Sequence, residues 1–254
     1  MTVLAVIPAR YASSRFPGKP LAPLSGRPMI QWVYERARRA RLVDDVLVAT
    51  DDERIAEAVG RFGGRAVRTQ AAHPSGTDRI AEVVRGLGAA APDVIVNVQG
   101  DQPLLEPSAI DRAVAPLLED PAVEMATLAT PLADPRDVAD PNRVKVVTDL
   151  AGFALYFSRA PVPYRRDGHA AGSGEGGPRA VKHIGLYVYR RPTLLRLASL
   201  APTPLERAES LEQLRALEHG IRIKVVMVEA DCPEVDTPED LARVEAAVAA
   251  GGAG

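Results

Sequence analysis

Short apolar runs rich in β-branched residues alternate with amphipathic helical segments along this chain, and this alternation constrains its fold more than any other feature. The clearest runs are residues 3–7, 46–49, 94–98 and 223–228. Apolar runs of this length are typical of strands buried on both faces. Helical periodicity lies between them, as at 28–40 and 53–62. The pattern predicts βαβ units and a parallel sheet flanked by helices.

The segment around 124–190 has a different pattern. Its strand-like runs, separated mostly by turn residues, are 125–130, 144–148, 153–157 and 184–189. They predict an inserted lobe with antiparallel character. Residues 168–177 contain five glycines, and we expect a mobile loop there. The expected fold is therefore a single α/β domain over 1–254, an open and mostly parallel sheet flanked by helices, with this lobe inserted.

Composition and charge exclude several classes of protein. The chain has 254 residues, with 31 Lys and Arg against 33 Asp and Glu, a balance that argues against a general nucleic-acid binder. The single cysteine, Cys232, excludes a disulfide framework. No apolar stretch approaches the roughly 18 to 20 residues of a membrane span, and the first residues lack the pattern of a signal peptide. We expect a soluble, cytoplasmic protein.

A cationic loop follows the first predicted strand. Arg10, Arg15 and Lys19 lie in it together with Ser13, at the strand end where open α/β sheets bind their ligands. Arginine grips phosphate oxygens with two hydrogen bonds, and lysine acts as a mobile point charge. Pro20 directly after Lys19 excludes a P-loop, and no GxGxxG follows the strand. The loop predicts a phosphate site, with an ordinary arginine-rich surface loop as the alternative.

Two aspartates follow other predicted strands. Asp101 comes just after the run at 94–98, and Asp236 precedes Thr237, the expected N-cap of the last helix. Mg²⁺ takes one or two protein carboxylates together with substrate phosphates and water. If both aspartates converge on the cationic loop, the ensemble supports phosphoryl transfer by charge neutralisation and positioning. The alternative for Asp101 is an ordinary turn residue.

A hydroxyl-rich segment at 73–79 precedes another predicted helix. Ser75, Gly76 and Thr77 lie at its start, where backbone N–H groups have no partner within the helix. These residues either cap the helix or leave the N–H groups free for a phosphate or a base edge. The residues alone leave both interpretations open.

The chain resembles the 3-deoxy-manno-octulosonate (Kdo) cytidylyltransferases from residue 3 to about 246. Among the matching motifs are IPARYASSRFPGKPL at 7–21, HPSGTDRIAEV at 73–83, VNVQGDQPLL at 96–105, KHIGLYVYR at 182–190 and VDTPEDL at 235–241. The resemblance implies a nucleotide-diphospho-sugar transferase type of fold and Mg²⁺ dependence. It also implies a homodimer in the cytoplasm of a lipopolysaccharide-making bacterium, with the inserted lobe around 124–190 used for sugar binding and dimerisation.

The resemblance also implies roles for individual residues. Contacts to the CTP phosphates would come from Arg10, Ser13, Arg15 and Lys19. Further nucleotide contacts would come from Ser75, Gly76, Arg79 and Gln99. The Mg²⁺ ligands would be Asp101 and Asp236, and the catalytic residues Arg10, Lys19 and Asp101. The sugar pocket would use Arg159, His183, Tyr187, Glu212 and Gln213. Gln102 departs from the family pattern, which has Glu at that position.

The implied reaction joins CTP and Kdo to give CMP-Kdo and pyrophosphate. The 2-hydroxyl of the sugar acid would attack the α-phosphorus in line. Transfer to 8-amino-Kdo or to sialic acid is the nearest alternative, because one pocket contact can change the preference. A nucleotide-binding protein without catalytic activity is the alternative from another class, and CTP binding without pyrophosphate release would identify it.

Overall fold

The computed structural model describes residues 1–13, 15–132, 134–164, 166 and 181–250. The loop expected at 168–177 lies outside these residues. The described strands are β1 (Val3–Ala9), β2 (Pro23–Leu24), β3 (Arg27–Pro28), β4 (Asp45–Thr50), β5 (Ala66–Arg68), β6 (Val94–Asn97), β7 (Met125–Pro131), β8 (Lys145–Thr148), β9 (Ala154–Ser158), β10 (Val181–Arg190) and β11 (Ile223–Met227). The described α-helices are α1 (Met29–Arg39), α2 (Glu53–Arg61), α3 (Gly76–Gly86), α4 (Pro107–Glu119), α5 (Pro135–Ala139), α6 (Arg191–Leu197), α7 (Pro204–Glu209), α8 (Gln213–Glu218) and α9 (Pro238–Ala249).

The main sheet runs in the order β11-β7-β10-β6-β1-β4-β5. Strand β1 pairs in parallel with β4 and β6, β4 pairs in parallel with β5, and β7 pairs in parallel with β11. Strand β10 is antiparallel to both of its neighbours, β6 and β7. The predicted α/β class, an open and mostly parallel sheet flanked by helices, is confirmed.

The antiparallel character expected around 124–190 is also present. Strands β8 and β9 pair antiparallel with each other, and β8 continues the sheet from the start of β10. Strands β7 and β10, from the same segment, lie within the main sheet. The segment therefore supplies two central strands as well as an antiparallel extension. Its assignment to sugar binding and dimerisation stays a prediction.

Helices bury both faces of the sheet, which explains why the predicted strands are apolar throughout. Along β1, Val3, Ala5 and Ile7 belong to one buried cluster, and Leu4 and Val6 to the other, because successive side chains of a strand point to opposite faces. The first cluster packs against α1, α2 and α4, and the second against α3, α6 and α8. Within the described ranges, no helix is long and apolar enough to cross a membrane.

The last helix, α9, begins where the sequence predicts. The Thr237 side chain accepts a hydrogen bond from the Asp240 N–H, and the Asp240 carboxylate accepts one from the Thr237 N–H, which makes a capping box. The apolar side of α9 joins Val244 to a small cluster that includes Trp32 and Phe16. This packing brings the residues just before α9 against the loop that follows β1.

Candidate active site

A cavity of about 260 Å³ opens at the carboxyl end of β1. The loop after β1, the start of α3, the residues after β6 and one residue before α9 surround it. Every residue predicted to bind nucleotide or metal lines it: Arg10, Ser13, Arg15, Lys19, Ser75, Gly76, Arg79, Gln99, Asp101 and Asp236. The cavity therefore gathers residues from four separate parts of the chain, as expected where the loops of an open sheet converge.

Lys19 is the centre of this site. Its Nζ donates to Asp101 Oδ2 at 3.0 Å, to Asp236 Oδ1 at 3.4 Å and to the Val235 carbonyl at 2.8 Å. The lysine follows Gly18, whose φ of 74° lies in the left-handed region that favours glycine. A Cβ on Gly18 would lie only 3.1 Å from the Tyr11 ring. Two carboxylates distant in sequence thus meet at a single cation.

The two arginines of the loop differ in their surroundings. Arg15 Nη2 lies 3.1 Å from Asp236 Oδ1, although two-thirds of the Arg15 side chain is exposed. Arg10 is exposed at the cavity rim. Ser13 Oγ accepts a hydrogen bond from the Phe16 N–H at 3.3 Å, which helps to hold the turn of the loop. The loop therefore presents positive charge to the cavity from exposed arginines at the rim and from an interior lysine held by three contacts.

The segment at 73–79 caps a helix and lines the cavity as well. Ser75 is the N-cap of α3, and its Oγ accepts a hydrogen bond from the Asp78 N–H at 3.2 Å. A Cβ on Gly76 would lie 3.2 Å from Pro8, so the start of α3 packs closely on the end of β1. Arg79 is buried and contacts Asp51 at 3.1 Å. The positive end of the helix dipole faces the cavity, which favours an anionic ligand there.

Removal of the α3 cap gives a testable stability change. Ser75→Ala is expected to lower the free energy of unfolding by about 1 kcal/mol, because the Asp78 N–H loses its side-chain acceptor. Ser75→Asn keeps an acceptor at the N-cap and is expected to stay close to the parent. Urea unfolding of the three proteins measures the difference. Equal stability of the Ala variant and the parent would contradict this account of the cap.

The five predicted sugar-binding residues, all in the described part of the chain, lie outside the lining of this cavity. Glu212 lies next to the lining, with its Oε1 3.4 Å from Ser75 Oγ, whose proton goes to Asp78 Oδ2 at 2.7 Å. Burial raises the pKa of Glu212 above its usual value. Gln213, the next residue, is buried at the start of α8. The sugar-binding role of all five residues stays a prediction.

Arg159 and Tyr187 have contrasting environments. The Arg159 guanidinium donates to the carbonyls of Glu209 at 2.7 Å and Pro141 at 2.9 Å, so backbone oxygens occupy it. The Tyr187 ring lies 5.4 Å from the His183 ring, and burial raises the Tyr187 pKa well above its usual value. Tyr187 therefore packs near His183, whereas the Arg159 guanidinium is hydrogen-bonded to backbone carbonyls.

His183 is buried and neutral. Burial lowers its pKa to about 3, and the nearby Lys182 charge adds to the effect. Its Nε2 lies 2.8 Å from Thr127 Oγ1, and that hydroxyl donates its one proton to the Leu186 carbonyl at 2.7 Å. The His183 Nε2–H is therefore the donor to Thr127. The imidazole offers its Nδ1 lone pair rather than a positive charge, so it does not form an ion pair with a sugar carboxylate at neutral pH.

His183 also links stability to pH. In the unfolded chain it binds a proton below about pH 6.5, whereas the folded protein keeps it neutral down to about pH 3. The unfolded state then binds more protons in this window, so stability falls as the pH falls. Between pH 6.5 and 5 this residue is expected to cost about 2 kcal/mol. His183→Gln lacks this loss, whereas His219→Gln, which keeps His183, retains it. Urea unfolding at the two pH values tests this, and parallel profiles for the parent and His183→Gln would contradict it.

Several cavity residues were not predicted as site residues. Pro8 and Ala9 line the cavity from the end of β1 and Pro20 from the loop that follows, and His73, Pro74 and Gly100 lie beside predicted residues. His73 also contacts the Glu82 carboxylate. His73 is the first residue of the HPSGTDR motif, so that motif could have identified it as a residue of the cavity. The prolines and Ala9 have no side-chain chemistry that sequence alone singles out.

The paired aspartates suit a divalent cation. Both present a carboxylate oxygen to the Lys19 ammonium, which shows that a single cation position is within reach of both. Oxygen donors of this type match Mg²⁺ when substrate phosphates complete the coordination. Among the described residues, no group of three or more His, Cys, Asp or Glu side chains is arranged to hold a metal ion. The two aspartates therefore fit Mg²⁺ that arrives with a polyphosphate, rather than a metal held by protein ligands alone.

The fold and the cavity define an α/β protein of the nucleotidyltransferase class, and comparison with known proteins agrees. Residues 4–223 match the family described as cytidylyltransferase. The chain belongs to this cytidylyltransferase family.

Individual relatives place it more narrowly. The chain is 57% identical over 249 residues to the 3-deoxy-manno-octulosonate cytidylyltransferase of Syntrophotalea carbinolica, and the match covers 97% of this chain and 98% of that protein. It is 56% identical over 248 residues to the protein of the same name from Geobacter sulfurreducens, with 96% and 98% covered. The resemblance found in the sequence motifs is thereby confirmed.

Solved structures show the same relationship. The structure described as CMP:2-keto-3-deoxy-manno-octonic acid synthetase complexed with CTP is 43% identical to this chain. Its TM-score is 0.91, with 99% of this chain and 100% of that chain covered. A 4-diphosphocytidyl-2C-methyl-D-erythritol synthase with 15% identity has a TM-score of 0.65, over 97% of this chain and 98% of that one. This second likeness shows the fold alone.

Proposed function

We propose that this chain transfers the cytidylyl group of CTP to 3-deoxy-manno-octulosonate, giving CMP-Kdo and pyrophosphate for lipopolysaccharide biosynthesis. The observation that carries the proposal is the cavity in which Lys19 contacts Asp101 and Asp236 beside the start of α3. The names of relatives more than half identical to the chain support the choice of nucleotide and sugar acid.

The proposed reaction is an in-line displacement at the α-phosphorus. The anomeric 2-hydroxyl oxygen of Kdo forms the new P–O bond, the bond to the β-phosphate oxygen breaks, and pyrophosphate leaves with its electron pair. Arg10, Arg15 and Lys19 stabilise the negative charge on the transferred phosphoryl group and on the leaving group. The positive end of α3 adds to this field. The hydroxyl proton passes to solvent.

Lys19 changes partners in this scheme. Its ammonium contacts three acceptors, two carboxylates and one carbonyl, and it has three N–H donors. A phosphate oxygen therefore replaces one of these contacts when the nucleotide binds. Asp236 is the expected contact to be released, because it is the longest at 3.4 Å and Arg15 also contacts it.

Asp101 and Asp236 would hold Mg²⁺ together with phosphate oxygens. When bound, the metal supplies neutralisation of phosphate charge and polarises the attacking hydroxyl. The resemblance also supports a homodimer and a cytoplasmic location as part of this proposal. Sedimentation of the purified chain tests the dimer, and a monomer at micromolar concentration would contradict it.

Pyrophosphate release tests the proposed function. CTP, UTP, ATP and GTP are each supplied with Kdo, 8-amino-Kdo or sialic acid in the presence of Mg²⁺. We expect release with CTP and Kdo, loss of release with EDTA, and recovery when Mg²⁺ is added back. Preference for 8-amino-Kdo or sialic acid would identify the related transferase instead. CTP binding without release for any acceptor would identify a nucleotide-binding protein without this activity.

A further inference from the structure

A glutamine and a glutamate lie directly beside the two aspartates. Gln102 follows Asp101 in sequence, and Glu234 precedes Asp236 by two positions. The Gln102 Nε2 donates to Glu234 Oε1 at 3.2 Å, across 132 positions of sequence. Gln102 is fully buried, whereas Glu234 is exposed. A buried amide therefore holds the Glu234 carboxylate next to the candidate metal ligands.

The surroundings show what this carboxylate faces. Gly185 of β10 has no side chain, and a Cβ there would lie 3.7 Å from Gln99 Cγ, 3.8 Å from Gln102 Nε2 and 3.9 Å from Glu234 Oε1. Gln99 lines the nucleotide cavity. The glycine therefore leaves a space that is bounded on one side by the nucleotide cavity and on the other by Glu234.

Glu234 also lines a second cavity, of about 610 Å³. Arg15 and Asp236 line both cavities, so the two adjoin. The five predicted sugar-binding residues do not line this second cavity. An acceptor seated there would lie beside the nucleotide and in reach of Glu234, outside the sugar pocket that the resemblance implies. The Glu234 carboxylate stands between the space for the nucleotide and a space large enough for a sugar acid.

The pair has a stability cost that a purely structural contact would avoid. Because the amide nitrogen of Gln102 faces the carboxylate, its Oε1 points elsewhere, and this buried oxygen has no hydrogen-bond partner. Burial of an unpaired polar atom is unfavourable. An apolar side chain at position 102 would avoid that cost but would leave Glu234 without its anchor. Gln102 therefore holds the carboxylate in place at a cost in stability.

We propose that Glu234 recognises the hydroxyl-bearing part of the acceptor sugar acid, and that Gln102 is a positioning residue that acts through Glu234. This inference rests on the proposed function. A carboxylate accepts hydrogen bonds and has none to donate, so it suits the hydroxyl groups of the acceptor.

Kinetics of two single variants and one double variant test the roles. Glu234→Gln keeps the size of the side chain and removes its charge, and it is expected to raise the KM for Kdo at least about tenfold, the scale of a lost hydrogen bond to a charged group. The KM for CTP is expected to stay within about twofold. Gln102→Met is expected to raise the KM for Kdo by a smaller factor. Because Gln102 acts through Glu234, the double variant is expected to match Glu234→Gln alone.

Matched variants separate recognition from folding. Glu229→Gln neutralises another carboxylate of the acidic stretch at 229–245, which also contains Glu234. It is expected to leave both KM values unchanged. Gly185→Ala fills the space beside Glu234 without changing charge and is expected to raise the KM for Kdo. Thermal unfolding of every variant is measured alongside, so that if Glu234→Gln fails to fold, the Gly185→Ala result decides the proposal.

Three outcomes would overturn the proposal. An unchanged KM for Kdo in folded Glu234→Gln would remove the recognition role. A large fall in kcat, with the KM unchanged and the acidic limb of the pH–rate profile lost, would make Glu234 a proton acceptor instead. Additive effects of the two single variants would show that Gln102 does not act through Glu234. The parent is assayed first with CTP and Kdo, and a lack of pyrophosphate release there would refute the proposed function rather than this inference.

Discussion

Asp101→Asn is expected to lower turnover at least about a hundredfold, the scale on which a lost electrostatic contact to the transition state acts. The substitution keeps the shape of the side chain but removes its negative charge. Lys19 then loses its closer carboxylate partner, at 3.0 Å, and the candidate Mg²⁺ site loses one of its two carboxylates. Pyrophosphate release with saturating CTP and Kdo measures the change.

The control for this variant is Asp120→Asn. Asp120 is exposed at the end of α4 and accepts a hydrogen bond from the Ala122 N–H, a contact that an asparagine oxygen also makes. Circular dichroism and thermal unfolding check that both variants stay folded. Near-normal turnover of folded Asp101→Asn would show that Asp101 is a turn residue without a catalytic role.

Lys19→Ala is expected to have an effect of similar size for a different reason. It removes a cation that contacts both Asp101 and Asp236, and with it the charge expected to meet the transferred phosphoryl group. We expect turnover to fall at least about a hundredfold. The fall is expected to persist at high Mg²⁺ concentration, because added metal occupies the carboxylates without replacing a donor to the phosphate.

Lys224→Ala is the matched control, since Lys224 lies in β11 and contacts the Ala151 carbonyl away from the cavity. It is expected to keep turnover within about twofold of the parent. Full recovery of Lys19→Ala by added Mg²⁺ would mean that the lysine only neutralises the two aspartates. Its assignment as a catalytic residue would then be wrong.

Sequence patterns predicted the elements of the fold well, because burial on two faces leaves a continuous apolar run. The runs at 3–7 and 46–49 became β1 and β4, and the predicted cap Thr237 starts α9. The order of the strands was beyond such patterns. Strand β10 lies between β6 and β7, and pairing of this kind depends on partners far away in sequence rather than on local periodicity.

Some residues of the candidate site could be predicted from the sequence, and others could not. Charge and position predicted the loop of Arg10 and Lys19, since strand ends of parallel sheets are binding edges. Glu234 was one of several acidic residues in its stretch, and nothing local distinguished it from Glu229. Only the folded chain places Glu234 against Gln102. The neutral state of His183 could not be predicted from the sequence either, because it results from burial of the imidazole in the folded chain.

The contact between Lys19 and Asp236 spans 217 positions, and this separation has a consequence during protein synthesis. Ribosomes add about 5 to 20 residues per second, so the lysine emerges roughly ten to forty seconds before its distant aspartate partner. Throughout that interval the nascent polypeptide lacks Asp236, which lines one side of the cavity. We therefore expect no cytidylyl transfer from translation intermediates that have not reached Asp236.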